Sequence, residues 1–494
     1  MIERYEDKDI KIIWSNERKV ELWQGVELAV IEAMENLGQI AGGIYSRVAE
    51  ILSSQPIDLD WWLQREREIK HDLNAFIDER LRFLPPELAQ YLHKKITSYD
   101  TEEPAFSQMI KHSIFWVKKH SANLEKTLTE MAKKYRYTIM NARTHGQEAE
   151  LQTFGKRCLT WLADLKNDLE NLNRAETELK YSKLSGAVGN YGSIDPAVEK
   201  EALRILGFEP YYGATQIMPR EIHAPIAQAL CQIVLTLNKI ALAIRLGARS
   251  GRPIYQEPFS KKQKGSSAMP HKKNTISTEQ IGGMANAAEK FFMMIMGNIP
   301  TCEERDISQS CVERIAWPDL FHVVIHSLKT MQRVLAGLVV YPDNMLREIV
   351  DSRGCYASSE AKELLKKYGV RYGLGAEDAY RIIQLAAFNV FEPTEEAQCL
   401  RENPPQSFEA ANELLLQFQE TPRIKPISIQ EIIRDARLEA SPELEASELD
   451  VQRWNEILQK IFQDPKNLEH WNEIFLPTYL LKNEAKLYQE ILGI

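Results

Sequence analysis

Apolar residues recur at helical spacing along most of the chain. Leucines at steps of three and four predict an amphipathic helix over residues 153–183. The stretch 222–245 is mostly apolar on all sides, which predicts a long buried helix. Residues 318–340 repeat the helical pattern, whereas strand-like alternation is scarce throughout. We therefore predict an all-α fold.

The lengths of these helices divide the chain into three parts. Short helices are predicted over residues 1–110, long helices over 111–360, and short helices again over 361–494. A chain of 494 residues exceeds the size at which one core keeps growing, so we expect three helical domains with these bounds. Several helices of this length are typical of a bundle, and helices that are apolar on all sides favour association into an oligomer.

Composition and charge narrow the class of protein. The net charge of −9 argues against a nucleic-acid binder. Six cysteines without a C-x-x-C pair indicate neither a zinc site nor a disulfide framework. The longest uncharged run, residues 224–238, is too short and too polar to predict a membrane span, and the first residues lack the basic-then-apolar pattern of a signal sequence. We expect a cytoplasmic protein without a membrane segment.

A basic loop carries the most informative chemistry. Five lysines lie between 261 and 273, around the adjacent serines Ser266 and Ser267. A serine beside ammonium groups can act as a base, and Lys272 and Asn274 are donors suited to a carboxylate that gains charge. Composition alone favours a solvated surface loop, and a lysine-rich run can also mimic a nucleic-acid patch.

Three histidines lie in suggestive settings, although an isolated histidine is more often structural than catalytic. They are His71 beside Asp72, His145 two residues after Arg143, and His223. His145 precedes a predicted long helix, whose N-terminus together with Arg143 would hold anions nearby. A histidine that titrates near neutrality could protonate a leaving group.

Motifs in the same order along the chain resemble those of one enzyme family. The string G-S-S-A-M-P-H-K-K-N at 265–274 resembles the signature loop of the fumarase/aspartase superfamily, and its A-M-P-H-K-K form, after E-P-F at 257–259, is similar to the adenylosuccinate lyase branch. Further matches are M-I-E-R-Y at 1–5, H-D at 71–72, T-S-x-D at 97–100, R-T-H-G at 143–146, T-F-G at 153–155, S-G-A-V-G at 185–189, T-Q at 215–216 and E-R-D-x-S-x-S-x-x-x-R at 304–314. The resemblance covers residues 1 to about 345 and is weaker beyond.

The resemblance implies a homotetramer with a central bundle of long helices and active sites built from three subunits. It implies elimination of fumarate from adenylosuccinate, giving AMP, and from the succinylaminoimidazole-carboxamide ribotide of purine biosynthesis, without a metal or organic cofactor. The substrate would be a small nucleotide, with no nucleic acid or membrane as partner.

The resemblance also implies residue roles. Ser266 would be the base, His145 the general acid, and His71 its support, although either histidine could reach the leaving nitrogen. Lys272 and Asn274 would stabilise the aci-carboxylate intermediate. The residues expected to contact substrate are Arg4, Tyr5, Asp72, Thr97, Ser98, Gln216, Ser267, Met269, Arg305, Ser310 and Arg314.

Five positions depart from the family pattern. Lys70 stands where Arg or Asn is usual, Glu148 and Thr275 where Pro is common, and Gln280 where some members have Arg. Ala243 stands where the family has an acidic residue before Ile-Arg in the long central helix. Because every proton-transfer candidate is present, we expect an active lyase. The alternatives are a divergent lyase of the superfamily that acts on another N-succinyl compound, and a non-catalytic helical paralogue.

Overall fold

The computed structural model describes residues 1–391, 399–400, 404–407, 410, 413, 427–441, 444 and 446–494. Most of the described chain is helical, which confirms the all-α prediction. The α-helices are α1 Lys8–Ile13, α2 Asn16–Asn36, α3 Ile44–Ser54, α4 Leu59–Ile69, α5 Asp72–Leu81, α6 Pro86–Ala89, α7 Ser98–Lys134, α8 Phe154–Glu176, α9 Pro196–Leu206, α10 Ala224–Gly247, α11 Ile276–Met296, α12 Ser308–Ala336, α13 Pro342–Asp351, α14 Ser358–Gly369, α15 Ala376–Phe391, α16 Ile429–Arg434, α17 Glu448–Phe462, α18 Pro465–Glu473, α19 Pro477–Leu480 and α20 Ala485–Leu492. The strands are β1 Ile139–Thr144, β2 Gln147–Thr153, β3 Tyr181–Ser182, β4 Glu209–Pro210, β5 Tyr255–Gln256 and β6 Val339–Val340.

The three long helices predicted from apolar spacing are present, with shifted ends. The prediction for 222–245 corresponds to α10, and that for 318–340 corresponds to α12, which begins ten residues earlier and contains Pro318. The prediction for 153–183 corresponds to α8, whose α-helical part ends at Glu176 before one 3-10 turn, Thr177–Lys180.

The described chain falls into two compact units. Unit 1 comprises residues 1–129, 161–250 and 255–339, and its centre is formed by α10, α11 and α12, which pack against one another. Apolar side chains such as Ile240, Ile281 and Phe321 are fully buried in this group of helices. Other large apolar side chains on the same helices, among them Leu242 and Met293, are exposed in the single chain.

One described helical segment is long and apolar enough to cross a membrane by length and composition. It spans Arg220–Gly247, and half of its most apolar window is buried within the protein. The helix is longer than the uncharged run 224–238 suggests, because it continues past Lys239 and Arg245. Within unit 1 the helix packs against α11 and α12.

Unit 2 comprises residues 130–160, 251–254 and 340–494, of which part of the last range lies outside the described residues. Strands β1 and β2 form an antiparallel hairpin, and α13 packs against β1. Leu365, Ile433 and Trp471 belong to a separate apolar core of the C-terminal helices. The glycine of the T-F-G motif, Gly155, lies where a side chain would overlap the hydroxyl of Tyr488. The division into domains 1–110, 111–360 and 361–494 stays a prediction.

Candidate active site

The H-D motif places its two side chains at the start of α5. His71 is the N-cap residue, and its Nδ1 accepts the backbone N–H of Asn74 at 3.3 Å. The other ring nitrogen, Nε2, lies 3.5 Å from the hydroxyl of Ser98. Asp72 forms an ion pair with Arg314 of α12 at 2.9 Å. Three motifs that are distant in the sequence therefore converge here.

A buried ion pair between Asp100 and Lys183 joins the next group of motifs. The two charged atoms lie 2.6 Å apart, and neither side chain is exposed. Asp100 also accepts the N–H of Thr97 and of Gly186, while Lys183 donates to the carbonyl oxygens of Gly186 and Gln216. A buried pair is stable only when its remaining hydrogen-bonding capacity is used, as it is here. The pair thus fixes the T-S-x-D, S-G-A-V-G and T-Q motifs relative to one another.

Arg305 is held beside this group by its neighbours. Its guanidinium donates to the side-chain oxygen of Gln216 at 3.2 Å and lies 4.0 Å from the ring centroid of Tyr99. Its buried Nε has no hydrogen-bond partner among the described residues. A guanidinium with an unused donor is suited to binding a carboxylate or a phosphate.

A cavity of about 240 Å³ lies in unit 1, and Ser310 and Arg314 line it. Ser310 donates its hydroxyl to the carbonyl oxygen of Ile307, which leaves its oxygen lone pairs available. Arg314 remains half-exposed despite its ion pair with Asp72, so its guanidinium can bind a second anion.

A buried triad also lines the cavity. Arg220 forms ion pairs with Glu103 at 2.7 Å and with Glu313 at 2.5 Å. Burial and Arg220 lower the pKa of the buried His223 to about 3. His223 is therefore neutral near pH 7 and is a core residue, which leaves His71 and His145 as the acid candidates.

The basic loop makes its hydrogen bonds mainly within itself. Ser266 Oγ accepts the N–H of Ala268 at 3.4 Å and of Met269 at 3.1 Å, and Asn274 donates to the carbonyl oxygen of Gly265 at 2.9 Å. Ser267, Met269 and Lys272 are exposed. Among the described contacts, none joins these loop residues to the group around His71, Gln216 and Arg314.

Two contacts fix the ends of the loop. The carboxylate of Glu257 accepts the N–H of Thr278 at 2.8 Å at the start of α11. Gly265 approaches the backbone of Lys272 so closely that an added Cβ would lie 1.9 Å from its carbonyl oxygen. The glycine is therefore required by a close backbone approach. The altered positions Thr275 and Gln280 follow the loop, and Thr275 donates its hydroxyl to Glu279 at 3.3 Å.

His145 lies in unit 2, at the tip of the β1–β2 hairpin. His145 and Gly146 have φ values of 54° and 79°, as in a two-residue type I′ turn. The expectation of a neighbouring helix N-terminus is wrong, because strand β2 separates His145 from the start of α8 at Phe154. Arg143 is also not free for an anion, since it forms ion pairs with Glu148 at 3.1 Å and Glu348 at 3.3 Å. His145 itself is exposed.

The N-terminal pair lies in a 3-10 helix, Glu3–Tyr5. Arg4 is exposed, and the ring of Tyr5 lies edge-on against His326 at 5.2 Å. These contacts do not place Arg4 and Tyr5 beside the cavity residues of the same chain. Within the described residues, no group of three or more His, Cys, Asp or Glu side chains is arranged to hold a metal ion.

Besides Glu103 and Arg220 of the triad, two further charged residues that line the cavity lie outside every motif. Lys19 of α2 and Glu102 of α7 line the cavity beside Arg314. The sequence offered one signal for Glu102, which lies four residues after Ser98 and so on the same side of a helix. No comparable signal connects Lys19 with the site, because its proximity arises from tertiary packing.

Comparison with solved structures defines the class of fold. The structure resembles a fumarate lyase from Mesorhizobium sp. (TM-score 0.74, 19% identity, 100% of this chain and 99% of that chain) and a β-carboxy-cis,cis-muconate cycloisomerase from Acinetobacter calcoaceticus (TM-score 0.74, 18% identity, 99% and 98%). Residues 13–288 match the model of the family described as lyase. Fold and family model therefore define a lyase of the fumarase/aspartase superfamily.

Sequence relatives narrow the assignment. The chain is 36% identical to the adenylosuccinate lyase of Synechocystis sp., over 78% of this chain and 88% of that protein. It is 35% identical to that of Aquifex aeolicus and 33% identical to that of Bacillus subtilis, in each case over 79% of this chain and 89% of the relative. The chain belongs to the adenylosuccinate lyase family.

Proposed function

We propose that the protein eliminates fumarate from adenylosuccinate, giving AMP, and from the succinylaminoimidazole-carboxamide ribotide of purine biosynthesis. The observation that carries the proposal is the convergence of His71, Asp72, Ser98 and Arg314 in a member of this family. Both substrates are phosphorylated N-succinyl compounds, and the cationic side chains of this group suit such anions.

The substrate-binding roles follow from side-chain chemistry. Arg305 and Arg314 offer guanidinium donors for the phosphate, and Ser310 would turn its hydroxyl from Ile307 to the phosphate on binding. Arg4 and Tyr5 would be supplied by another subunit. Thr97, Ser98 and Gln216 carry the shorter polar groups that would hold the succinyl and base portions. The buried Asp100–Lys183 pair supports this assignment, because it fixes the backbone around these residues.

The loop supplies the base. Removal of the succinyl β-proton needs a strong base and stabilisation of the aci-carboxylate that forms. The two N–H groups that point at Ser266 Oγ favour its ionised form, which is the form that takes the proton. Lys272 and Asn274 would stabilise the new charge, while Ser267 and Met269 contact the substrate. The exposure of the loop suits a segment that closes over bound substrate.

A histidine then protonates the departing nitrogen. We assign this step to His145, whose exposed imidazole on a hairpin tip is accessible to substrate. His71 accepts a backbone N–H at Nδ1, so its neutral ring carries the proton on Nε2. That proton points towards Ser98 and the substrate side, which suits His71 for orienting the substrate and keeps it as the alternative acid.

We infer that the active protein is a cytoplasmic homotetramer in which each active site is built from three subunits. Each chain would comprise three helical domains. The exposed apolar side chains on α10 and α11 support this proposal, because apolar surface on long core helices is normally covered. A composite site also explains why, among the described residues of one chain, the basic loop, Arg4 and Tyr5 make no contact with the cavity residues. Size-exclusion chromatography with light scattering would test the assembly, and a monomer would contradict it.

The function is tested by following the ultraviolet absorbance of adenylosuccinate as AMP forms. We expect conversion by the wild type and a loss of at least about 1000-fold in kcat for Ser266→Ala, because the base is removed. Ser260→Ala, an exposed serine outside the motif, is the matched control and should keep wild-type activity. A folded tetramer that does not convert adenylosuccinate would instead point to another N-succinyl substrate, with Lys70, Thr275 and Gln280 as the altered positions.

A further inference from the structure

Some of the charged side chains that line the unit 1 cavity form ion pairs, and others do not. Of its acidic residues, Glu103 and Glu313 are both bound by Arg220. Of its basic residues, Arg314 is paired with Asp72 outside the cavity lining. Lys19 and Glu102 line the same cavity, and neither side chain forms an ion pair or hydrogen bond with a described residue. A carboxyl group and an ammonium group thus remain uncommitted next to the guanidinium proposed to bind phosphate.

Aromatic rings hold Lys19 in place. Its ammonium lies 4.9 Å from the ring centroids of both Trp23 and Trp62, within the range of a cation–π interaction. Burial lowers the pKa of Lys19. The two aromatic rings favour the ammonium form against this effect of burial, and they position it on the α2 side of the cavity.

Glu102 experiences opposing influences from four elements. Burial and the charge of Asp72 raise its pKa to about 8, although Arg314, Lys19 and Arg305 lower it. On its own helix, Glu103 is compensated by Arg220, and the pKa of Tyr99 is raised, so Tyr99 stays neutral. The charged groups that act on Glu102 are Lys19 from α2, Asp72 from α5, and Arg305 and Arg314 from the segment before α12 and from α12. With Glu102 neutral the cations outnumber the anions, and ionisation of Glu102 removes one unit of that excess.

We propose that Glu102 is a positioning residue of the phosphate site, whose carboxyl group sets the net positive charge that Arg314 and Lys19 present and takes up a proton when a phosphate dianion binds. This inference rests on the proposed function in one respect, the assignment of Arg314 to the phosphate. A dianion near Arg314 favours the neutral form of Glu102. By linkage, the neutral form of Glu102 favours the dianion to the same extent.

The consequence is a pH dependence of KM that kcat does not share. If substrate binds when Glu102 is protonated, a pKa of about 8 gives a KM about tenfold higher at pH 9 than at pH 7. The base and acid of the reaction lie on the loop and on the histidines, so Glu102 does not take part in proton transfer. Glu102→Gln keeps the shape of the side chain and fixes it in the neutral form.

The experiment compares KM and kcat for adenylosuccinate at pH 7 and pH 9 in the wild type, Glu102→Gln and Glu130→Gln. Glu130 is an exposed glutamate on the same helix, so its variant should keep the wild-type KM ratio. We expect the ratio to fall from about tenfold to below about twofold in Glu102→Gln, with the pH dependence of kcat the same in all three proteins. Glu102→Asp should restore a titrating KM. Equal KM ratios in the wild type and Glu102→Gln would overturn the proposal.

A second measurement does not depend on turnover. Calorimetry of phosphate binding to the wild-type protein at pH 8, in two buffers of different ionisation enthalpy, reports the protons taken up on binding. We expect net uptake with AMP and with inorganic phosphate, beyond that of the phosphate group itself, and its loss in Glu102→Gln. Absence of this additional uptake in the wild type would overturn the inference. Failure to convert adenylosuccinate, with proton uptake retained, would overturn the proposed function alone.

Discussion

Gly265→Ala tests whether the basic loop needs its close backbone crossing for activity. A Cβ at this position would lie 1.9 Å from the carbonyl oxygen of Lys272, whereas real Cβ atoms essentially never approach another heavy atom closer than 3.0 Å. The two backbone segments must therefore separate by about 1 Å or more. Ser266 lies on one segment, and Lys272 and Asn274 lie on the other, so the separation moves the proposed base away from the groups that stabilise the intermediate.

The size of the effect follows from this displacement. A misplacement of about 1 Å costs about 100-fold in rate, which corresponds to about 2.7 kcal/mol of transition-state stabilisation. We expect kcat/KM for adenylosuccinate to fall by this amount in Gly265→Ala. The thermal midpoint should change little, because the loop is partly exposed and its opening does not disturb the helical core.

The control is Gly25→Ala on α2, where no atom lies within 4 Å of the added Cβ. Alanine is favoured over glycine inside a helix by about 1 kcal/mol, so this variant should be slightly more stable and fully active. Activity of Gly265→Ala within about threefold of the wild type would refute the reasoning, because a 1 Å displacement between base and stabilising groups is not compatible with it. A large loss of thermal stability would show that the loop is part of the core.

Three further changes test the surroundings of the site. Asp100→Asn leaves Lys183 charged and unpaired in the interior and should destabilise the protein by about 3–5 kcal/mol in urea unfolding; a cost below about 1 kcal/mol would contradict the buried pair. Lys70→Asn should raise the thermal midpoint by about one or two degrees, because Lys70 has a φ of 57° that Asn tolerates better, and a lower midpoint would contradict this. His223→Gln should reduce the loss of stability between pH 7 and pH 5 by about 2 kcal/mol. In the folded protein the pKa of His223 is about 3, so it stays neutral over this range, whereas in the unfolded chain its pKa has the ordinary value of 6.5 and it gains a proton as the pH falls. Equal urea midpoint shifts in the wild type and His223→Gln would show that His223 does not control this acid-induced loss.

The class of fold could be predicted from the sequence, whereas helix ends could not. Apolar spacing reports which face of a helix is buried, and this information was sufficient for α8, α10 and α12. Helix ends depend on capping and on tertiary contacts. Helix α12 begins at Ser308 and continues through Pro318, a residue that local rules place at a boundary. The region after Thr177 is shaped by the short pairing of β3 with β4, which lies outside any local pattern.

The candidate site shows the same division. Motif residues could be named from the sequence, because their side chains carry recognisable chemistry and the motifs occur in a fixed order. Lys19 could not be assigned, and for Glu102 the sequence offers only its spacing from Ser98, because the relation of both residues to Arg314 exists only after α2, α7 and α12 have packed together. The prediction of a helix N-terminus beside His145 was wrong for a related reason, because His145 lies on a hairpin that is formed by pairing between β1 and β2.

The two parts of the site differ in how firmly they are held, and this difference bears on catalysis. The groups proposed to bind phosphate are supported by buried ion pairs, Asp100 with Lys183 and Arg220 with Glu103 and Glu313, which fix their geometry before substrate arrives. The loop that carries Ser266 is exposed and is held mainly by its own hydrogen bonds. Binding energy from the phosphate, remote from the bond that breaks, is therefore available to order the loop over the succinyl group. In the proposed mechanism a fixed anion site would select the substrate, and closure of the loop would bring the base to it.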